Sequence, residues 1–189
     1  MRRPLLGGAA LVTCALLAGC SGGGGSVNGA VPSGYTLVRD PGFQFAVPSK
    51  FQAAPVDKWP EGGGWDRFYQ APKDPYDQGH NVEVEFGQGQ ASEISKNIAD
   101  EQKQMKIIEN GKGFTNFHVS KVQVPGAASA QEFTYDGSAK FTSTKKPAHS
   151  IELWVALKSG DAINLHATDM QGDATQFDPK AVVDSFKVG

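Results

Sequence analysis

Between Ile151 and Ala167 an apolar residue stands at almost every second position: Ile151, Leu153, Val155 and Leu157, then, after Lys158-Ser159-Gly160-Asp161, Ile163, Leu165 and Ala167. A period of two gathers these side chains on one face of an extended strand, whereas a helix would scatter them around its axis. The chain must therefore build a long antiparallel hairpin with one dry face. A loop of odd length, or a bulge at Gly160, brings both apolar sets to the same side. His166 falls opposite Leu165 on its strand, on the sheet face of Trp154, where it either meets solvent or lies under a helix.

The same alternation recurs earlier in the chain. Tyr35-Thr36-Leu37-Val38, the turn Asp40-Pro41-Gly42 and Phe43-Gln44-Phe45-Ala46-Val47-Pro48 read as a hairpin, followed by strands over Trp65 to Gln70 and Asn81 to Gly87. In the last of these Val82, Val84 and Phe86 are expected on a dry face, and Glu83 and Glu85 on a wet one. Ala71 to His80, with Pro72 and Pro75, reads as a loop. Ser92 to Glu109 changes period: Ile94, Ile98, Met105 and Ile108 form a helical stripe that Glu101 or Gln102 interrupts. Ser92 is the expected N-cap and Gly111 the expected stop. Strands around Phe117 to Val124, Ala130 to Tyr135 and Lys140 to Thr144 follow, separated by the turn signals Pro125-Gly126 and Asp136-Gly137. Asp178-Pro179 then opens a short helix that carries Val182, Val183 and Phe186 into the core. Strands joined by hairpin-sized connections, with helices between and after them, predict an α+β domain built on an antiparallel sheet flanked by helices.

Phe43-Gln44-Phe45-Ala46-Val47-Pro48, the long helix, the Gly126 and Ala130 to Tyr135 segment, the late hairpin and the closing Asp184-Ser185-Phe186 together resemble the PsbP/Mog-like domain, in particular the actinobacterial LpqN/LpqT-type lipoproteins. The similarity spans nearly all of residues 35 to 189 and rests on the order of the elements. It implies an α/β/α sandwich, an envelope location and a binding or accessory role, and it supplies no catalytic residues.

The N-terminus reads as an export signal. Met1-Arg2-Arg3 is positive, and Pro4 to Leu17 is apolar but too short to cross the roughly 30 Å hydrocarbon core as a helix. Leu17-Ala18-Gly19-Cys20 looks like a lipobox, a pattern in which Cys20 receives a diacylglyceryl group and the chain is cut before it. The competing reading is an ordinary secretory signal with a cysteine near its cleavage site. Residues 1–19 are thus expected to be a signal peptide, 20–33 a lipidated cysteine with a Gly/Ser tether, and 34–189 a single domain. Cys14 would leave with the signal, so no disulfide is available. The domain, about 155 residues long, must hold together by burial, which a chain of this size can do.

Without Arg2 and Arg3 the chain has 16 basic and 20 acidic side chains, a formal charge of −4. Lys140, Lys145 and Lys146 are too few to track a phosphate backbone, so nucleic acid is not an expected partner. Attachment to a membrane would come from the acyl chains, two of which suffice for stable anchoring. The sequence holds no GxSxG, HExxH, Walker or dinucleotide motif, and Gly62-Gly63-Gly64 lacks the lysine and helix start of a phosphate cradle. His80, His118, His149 and His166 show no paired metal spacing, while Asp74, Asp77 and Asp173 lie in loops without a calcium-loop pattern. No catalytic residue, metal or cofactor is expected.

Aromatic residues supply the one hint of a site. Trp59, Trp65, Phe68, Tyr69 and Tyr76 share a segment rich in proline and glycine. Either Trp65 with Phe68 or Tyr69 enters the core and Trp59 covers its edge, or the loops form an exposed surface for a glycan or apolar ligand. Trp59 and Tyr76 are the candidate ligand-contacting residues. The expected function is that of a monomeric, membrane-anchored lipoprotein on the extracytoplasmic face, with a non-enzymatic role and an envelope protein, glycan or apolar molecule as partner. The alternative is an envelope hydrolase or transferase whose site assembles only in three dimensions.

Overall fold

A computed structural model describes residues 26–54, 66–72, 80–108, 113–138, 146–172 and 176–189. Cys20, Trp59, Trp65, Tyr76, the glycines 62–64, Asp74, Asp77, Asp173, Gly111 and the expected strand at 140–144 lie outside these residues. The strands are β1 (Tyr35–Asp40), β2 (Phe43–Pro48), β3 (Gln52–Ala53), β4 (Arg67–Gln70), β5 (His80–Gly87), β6 (Phe114–Val122), β7 (Ser129–Gly137), β8 (Ala148–Ala156), β9 (Ala162–Met170) and β10 (Lys187–Val188). Helix α1 (Ile94–Ile107) follows a 3-10 turn at Ala91–Glu93, and α2 (Pro179–Asp184) precedes β10. The architecture is α+β and dominated by its antiparallel sheets.

Seven strands form one sheet in the order β3-β4-β5-β9-β8-β7-β6, and β1-β2-β10 form a second. The late hairpin sits near the middle of the large sheet. Its register pairs Ile151 with Ala167, Leu153 with Leu165 and Val155 with Ile163 across a loop of odd length, Leu157 to Asp161, in which Gly160 takes a φ of 96°. One face of the large sheet is dry. Leu153, Val155, Ile163, Leu165, Val82 and Val84 pack there against Phe43, Phe45 and Val47 of β2 and Val182, Val183 and Phe186 at the chain's end. Asp178 caps α2 by accepting from Lys180 N at 2.9 Å, and Pro179 fills its first turn. Helix α1 leads from β5, in mid-sheet, to β6 at the far edge and lies on the opposite face, where Ile94, Ile98 and Met105 meet Phe133, Tyr135, Ala156 and Ala162.

Several expectations need correction. Glu83 is buried and Glu85 half-buried because α1 covers the face that alternation assigned to solvent, whereas Phe86, assigned to the dry face, is 44% exposed. Asp136-Gly137 is not a turn: β7 runs through it, pairing these residues with His149 and Ala148. Ser92 does not cap α1, whose N-cap is Glu93 without a side-chain bond, because the 3-10 turn enters the helix first. Within the expected tether, Val27 is buried in the core, with its N–H donating to Gln123 O at 2.9 Å and those of Asn28 and Gly29 donating to Asp184 O. Val27 is the buried apolar residue of this stretch, whereas Val31 stays 42% exposed.

Candidate functional site

A groove of about 240 Å³ opens beside β1 to β4, with Tyr35, Pro48, Phe51, Pro72 and Phe177 giving it a largely apolar wall and Lys50 on its rim. Phe51 and Phe177 meet edge to face, 5.1 Å between centroids. The wall is fixed from behind. Asp169, buried, accepts from His80 Nδ1 at 2.9 Å and from Phe177 N at 3.1 Å, so one carboxylate ties β5 and β9 to the approach of α2. Tyr35 Oη accepts from Asp178 N at 3.3 Å, and burial pushes this phenol up from its ordinary pKa. The groove lies where the chain enters and leaves the aromatic segments: Phe51 shortly precedes the segment carrying Trp59, Pro72 immediately precedes the one carrying Tyr76, and Gln176 also lines it.

A polar centre lies under α1, on the other face of the large sheet. Strand register sets Glu83 opposite His166 and His166 opposite Glu152, while the next row runs Asn81, Thr168, Ser150 and Tyr135. His166 Nδ1 stands 3.4 Å from Glu83 Oε2, and its Nε2 stands 2.9 Å from Thr168 Oγ1 and 3.2 Å from Tyr135 Oη. Ser150 Oγ joins Thr168 Oγ1 at 2.9 Å, and Trp154 Nε1 donates to Glu152 Oε2 at 2.8 Å. Burial disfavours the imidazolium, but the bond to Glu83 and the fields of Glu152, Glu83 and Glu101 outweigh it and hold His166 at about 9. Glu101 reaches down from α1. Burial first, and then the charge of Glu152, push its carboxyl up to about 8, so at neutral pH it keeps a proton that it can share with Glu152. Burial likewise drives the Tyr135 phenol well above its ordinary range.

Thr168, His166 and Glu83 are spaced like a nucleophile, base and orienting acid. The electrostatics oppose that use: an imidazole protonated up to about 9 has no lone pair with which to accept a proton at pH 7. Thr168 and Ser150 are moreover buried beneath α1. Among the described residues no three His, Cys, Asp or Glu side chains converge as metal ligands.

No protein-family profile matches the sequence, and no curated protein matches it. A solved structure does: LpqN of Mycobacterium tuberculosis, described as involved in cell envelope biogenesis, aligns over 82% of this chain and 90% of its own with a TM-score of 0.50 and 18% identity. The fold resembles that of LpqN. At this identity the likeness is one of architecture, and no residue role passes with it.

The candidates Trp59 and Tyr76 lie outside the described residues, as does Cys20. Sequence reasoning missed the groove's anchors, since Tyr35 meets Asp178 and His80 meets Asp169 across long separations. It missed the polar centre for a different reason. The break that Glu101 makes in the α1 stripe and the shared face of His166 and Trp154 were both visible signals, but only the register aligns them with Glu83 and Glu152.

Proposed function

We propose that this chain is a membrane-anchored extracytoplasmic lipoprotein, acylated at Cys20, whose single monomeric domain is a PsbP/Mog-like α/β/α sandwich with a non-enzymatic binding or accessory role in the cell envelope. The observation that carries the binding role is the groove walled by Phe51, Phe177, Tyr35 and Pro72, concave and largely apolar as small-molecule sites are. The lipobox-like Leu17-Ala18-Gly19-Cys20 supports the anchor. The envelope role draws support from the likeness to LpqN, itself described as involved in cell envelope biogenesis. The burial of Thr168 and Ser150 weighs against their use as nucleophiles in the hydrolase or transferase alternative.

Two measurements test the reading. Cys20→Ala should abolish incorporation of labelled fatty acid; labelling that persists removes the anchor. The paired change Trp59→Ala with Tyr76→Ala should reduce capture of envelope material by the mature chain while the melting temperature stays within a few degrees. A buried tryptophan truncated to alanine would instead cost about 3–5 kcal/mol and lower it strongly. Unchanged capture, or a large loss of stability, overturns the binding role of Trp59 and Tyr76.

A further inference from the structure

Beside the His166 cluster, under the start of α1, lies a cavity of about 60 Å³ lined by Glu85, Gly87, Gln90, Asn97, Trp154 and Asn164. Strand register places Glu85, Asn164 and Trp154 in one row, while Gln90 and Asn97 come from the approach to α1 and its first turns. Asn164 is 5% exposed, and its Nδ2 donates to Glu152 Oε2 at 3.4 Å. Its Oδ1 is buried too, and no donor among the described residues meets it. A buried acceptor left in this state costs about 1–3 kcal/mol. Gln90 Oε1 stands 3.0 Å from where a Cβ on Gly87 would sit, so the missing side chain at 87 leaves room for this oxygen over the strand.

The charge balance has the same sign. Glu85 brings a half-buried carboxylate to the lining. No lysine or arginine is among the lining residues. The nearby positive group, His166, has both ring nitrogens committed to Glu83, Thr168 and Tyr135. The lining is therefore rich in oxygen acceptors and negative in charge, and its free buried oxygen lacks a donor. Sulfur and imidazole are missing from it, which disfavours zinc and copper and suits a hard cation.

We propose that this cavity binds a hard divalent cation, calcium in preference to magnesium, through the Glu85 carboxylate and the side-chain oxygens of Asn164, Asn97 and Gln90. Calcium accepts six to eight oxygens in irregular arrangements and takes neutral amide ligands, whereas magnesium demands a near-ideal octahedron. One carboxylate with three amides, drawn from two strands, a turn and a helix, makes an irregular and weakly charged set. Affinity is accordingly expected at the weak end for calcium sites, about 10⁻⁴ to 10⁻³ M. Binding would pin the approach to α1 against β5 and β9.

Trp154 lines the cavity and provides the readout, because its indole can sensitise terbium, a calcium mimic, bound within a few ångströms. With the mature chain we expect terbium emission excited through tryptophan, displaced by millimolar calcium, and a calcium-dependent rise in melting temperature. Trp154→Phe should lose the emission and keep the calcium-dependent rise. Glu85→Gln, an isosteric change at a half-buried position, should weaken calcium by about tenfold or more while leaving the metal-free melting temperature nearly unchanged. Gly87→Ala, which crowds Gln90, should weaken it independently. Emission that survives both Trp154→Phe and Glu85→Gln would mark adventitious surface binding. A melting temperature indifferent to about 10 mM calcium, far above the expected dissociation constant, would leave the cavity to water and overturn the proposal.

Discussion

On one face of the large sheet Ile151, Leu153 and Val155 lie beside Ala167, Leu165 and Ile163; one residue along the same two strands, on the other face, Ser150, Glu152 and Trp154 lie beside Thr168, His166 and Asn164. Both faces are buried, by different covers. The small sheet and α2 bring phenylalanines and valines to the first, whereas α1 brings Ile94, Ile98 and Met105 to the second with Glu101 among them. The dry face gains stability in proportion to the area it hides. Under α1, each desolvated charge costs several kcal/mol, which Coulomb attraction and hydrogen bonds must offset. The first face should thus be indifferent to pH and the second sensitive to it.

The largest expected effects test that contrast directly. His166→Ala would leave Glu83 and Glu152 buried without their shared cation and should cost about 3–5 kcal/mol at pH 7. Leu153→Ala, on the dry face, should cost about 2–5 kcal/mol. Denaturant unfolding at pH 5 and pH 8 separates two losses of similar size. The Leu153 loss should be the same at both, while the His166 loss should change between them, because the ion pairs that it removes titrate in this range. A cost for His166→Ala below about 1 kcal/mol at pH 7 would mean that the centre carries no strong ion pair.

The wild-type chain should itself lose stability as pH rises. In the unfolded chain Glu101 gives up its proton near 4.5, but in the folded domain only near 8, so between these values the folded state binds more protons. His166 acts in the same direction, its contribution present in full below 6.5 and lost as pH climbs to about 9. Together they amount to a decline on the order of a few kcal/mol between pH 5 and pH 9. Glu101→Gln keeps a donor for Glu152 without the titration, and should flatten the lower part of the decline and raise the melting temperature above pH 8. Stability that increases between pH 5 and pH 9 would reverse the sign and refute the protonated Glu101.

How far the two faces were legible in the sequence follows from the same physics. Alternation at Ile151 to Ala167 located the dry face and its register, because a period of two is a local signal. The proline and aspartate at 178–179 located α2 for the same reason. The other face depended on what would come to cover it. Alternation shows that Glu83 and Val84 point opposite ways, but not that α1, which begins eleven residues later, lies over Glu83. Asp136-Gly137 resembles a turn in isolation, yet pairing with Ala148 and His149 keeps it extended. Of the candidate site, the aromatic segments were legible as composition; the groove they lead to required Tyr35 to meet Asp178 and Phe51 to meet Phe177.

Val27 sharpens the comparison at the edge of the dry core. It lies outside the regular strands, yet it belongs to the same cluster as Leu153 and is 1% exposed. Val27→Ala should cost about 1–2 kcal/mol, from two buried methyl groups at about 0.8 kcal/mol each. A chain beginning at Gly34 should lose at least as much, because the bonds to Gln123 and Asp184 go as well. Equal melting temperatures for chains starting at Ser21 and Gly34 would detach this stretch from the core.

The smallest expected effect compares the two helices that cover the faces. Asp178 accepts from Lys180 N and so satisfies one of the four amides that open α2, a helix of six residues with little internal stability of its own. Asp178→Ala should cost about 1 kcal/mol. At α1 the sequence offers Ser92, a good capping residue by type, but a 3-10 turn occupies that position and Glu93 begins the helix without a side-chain bond. Ser92→Ala should therefore fall within about 0.5 kcal/mol of wild type, as for a surface site away from special features. Urea unfolding of the two variants side by side decides it. A full capping loss at Ser92 would mean that α1 starts one residue earlier in solution, and a negligible loss at Asp178 would mean that packing of Val182 and Val183 alone sets the start of α2.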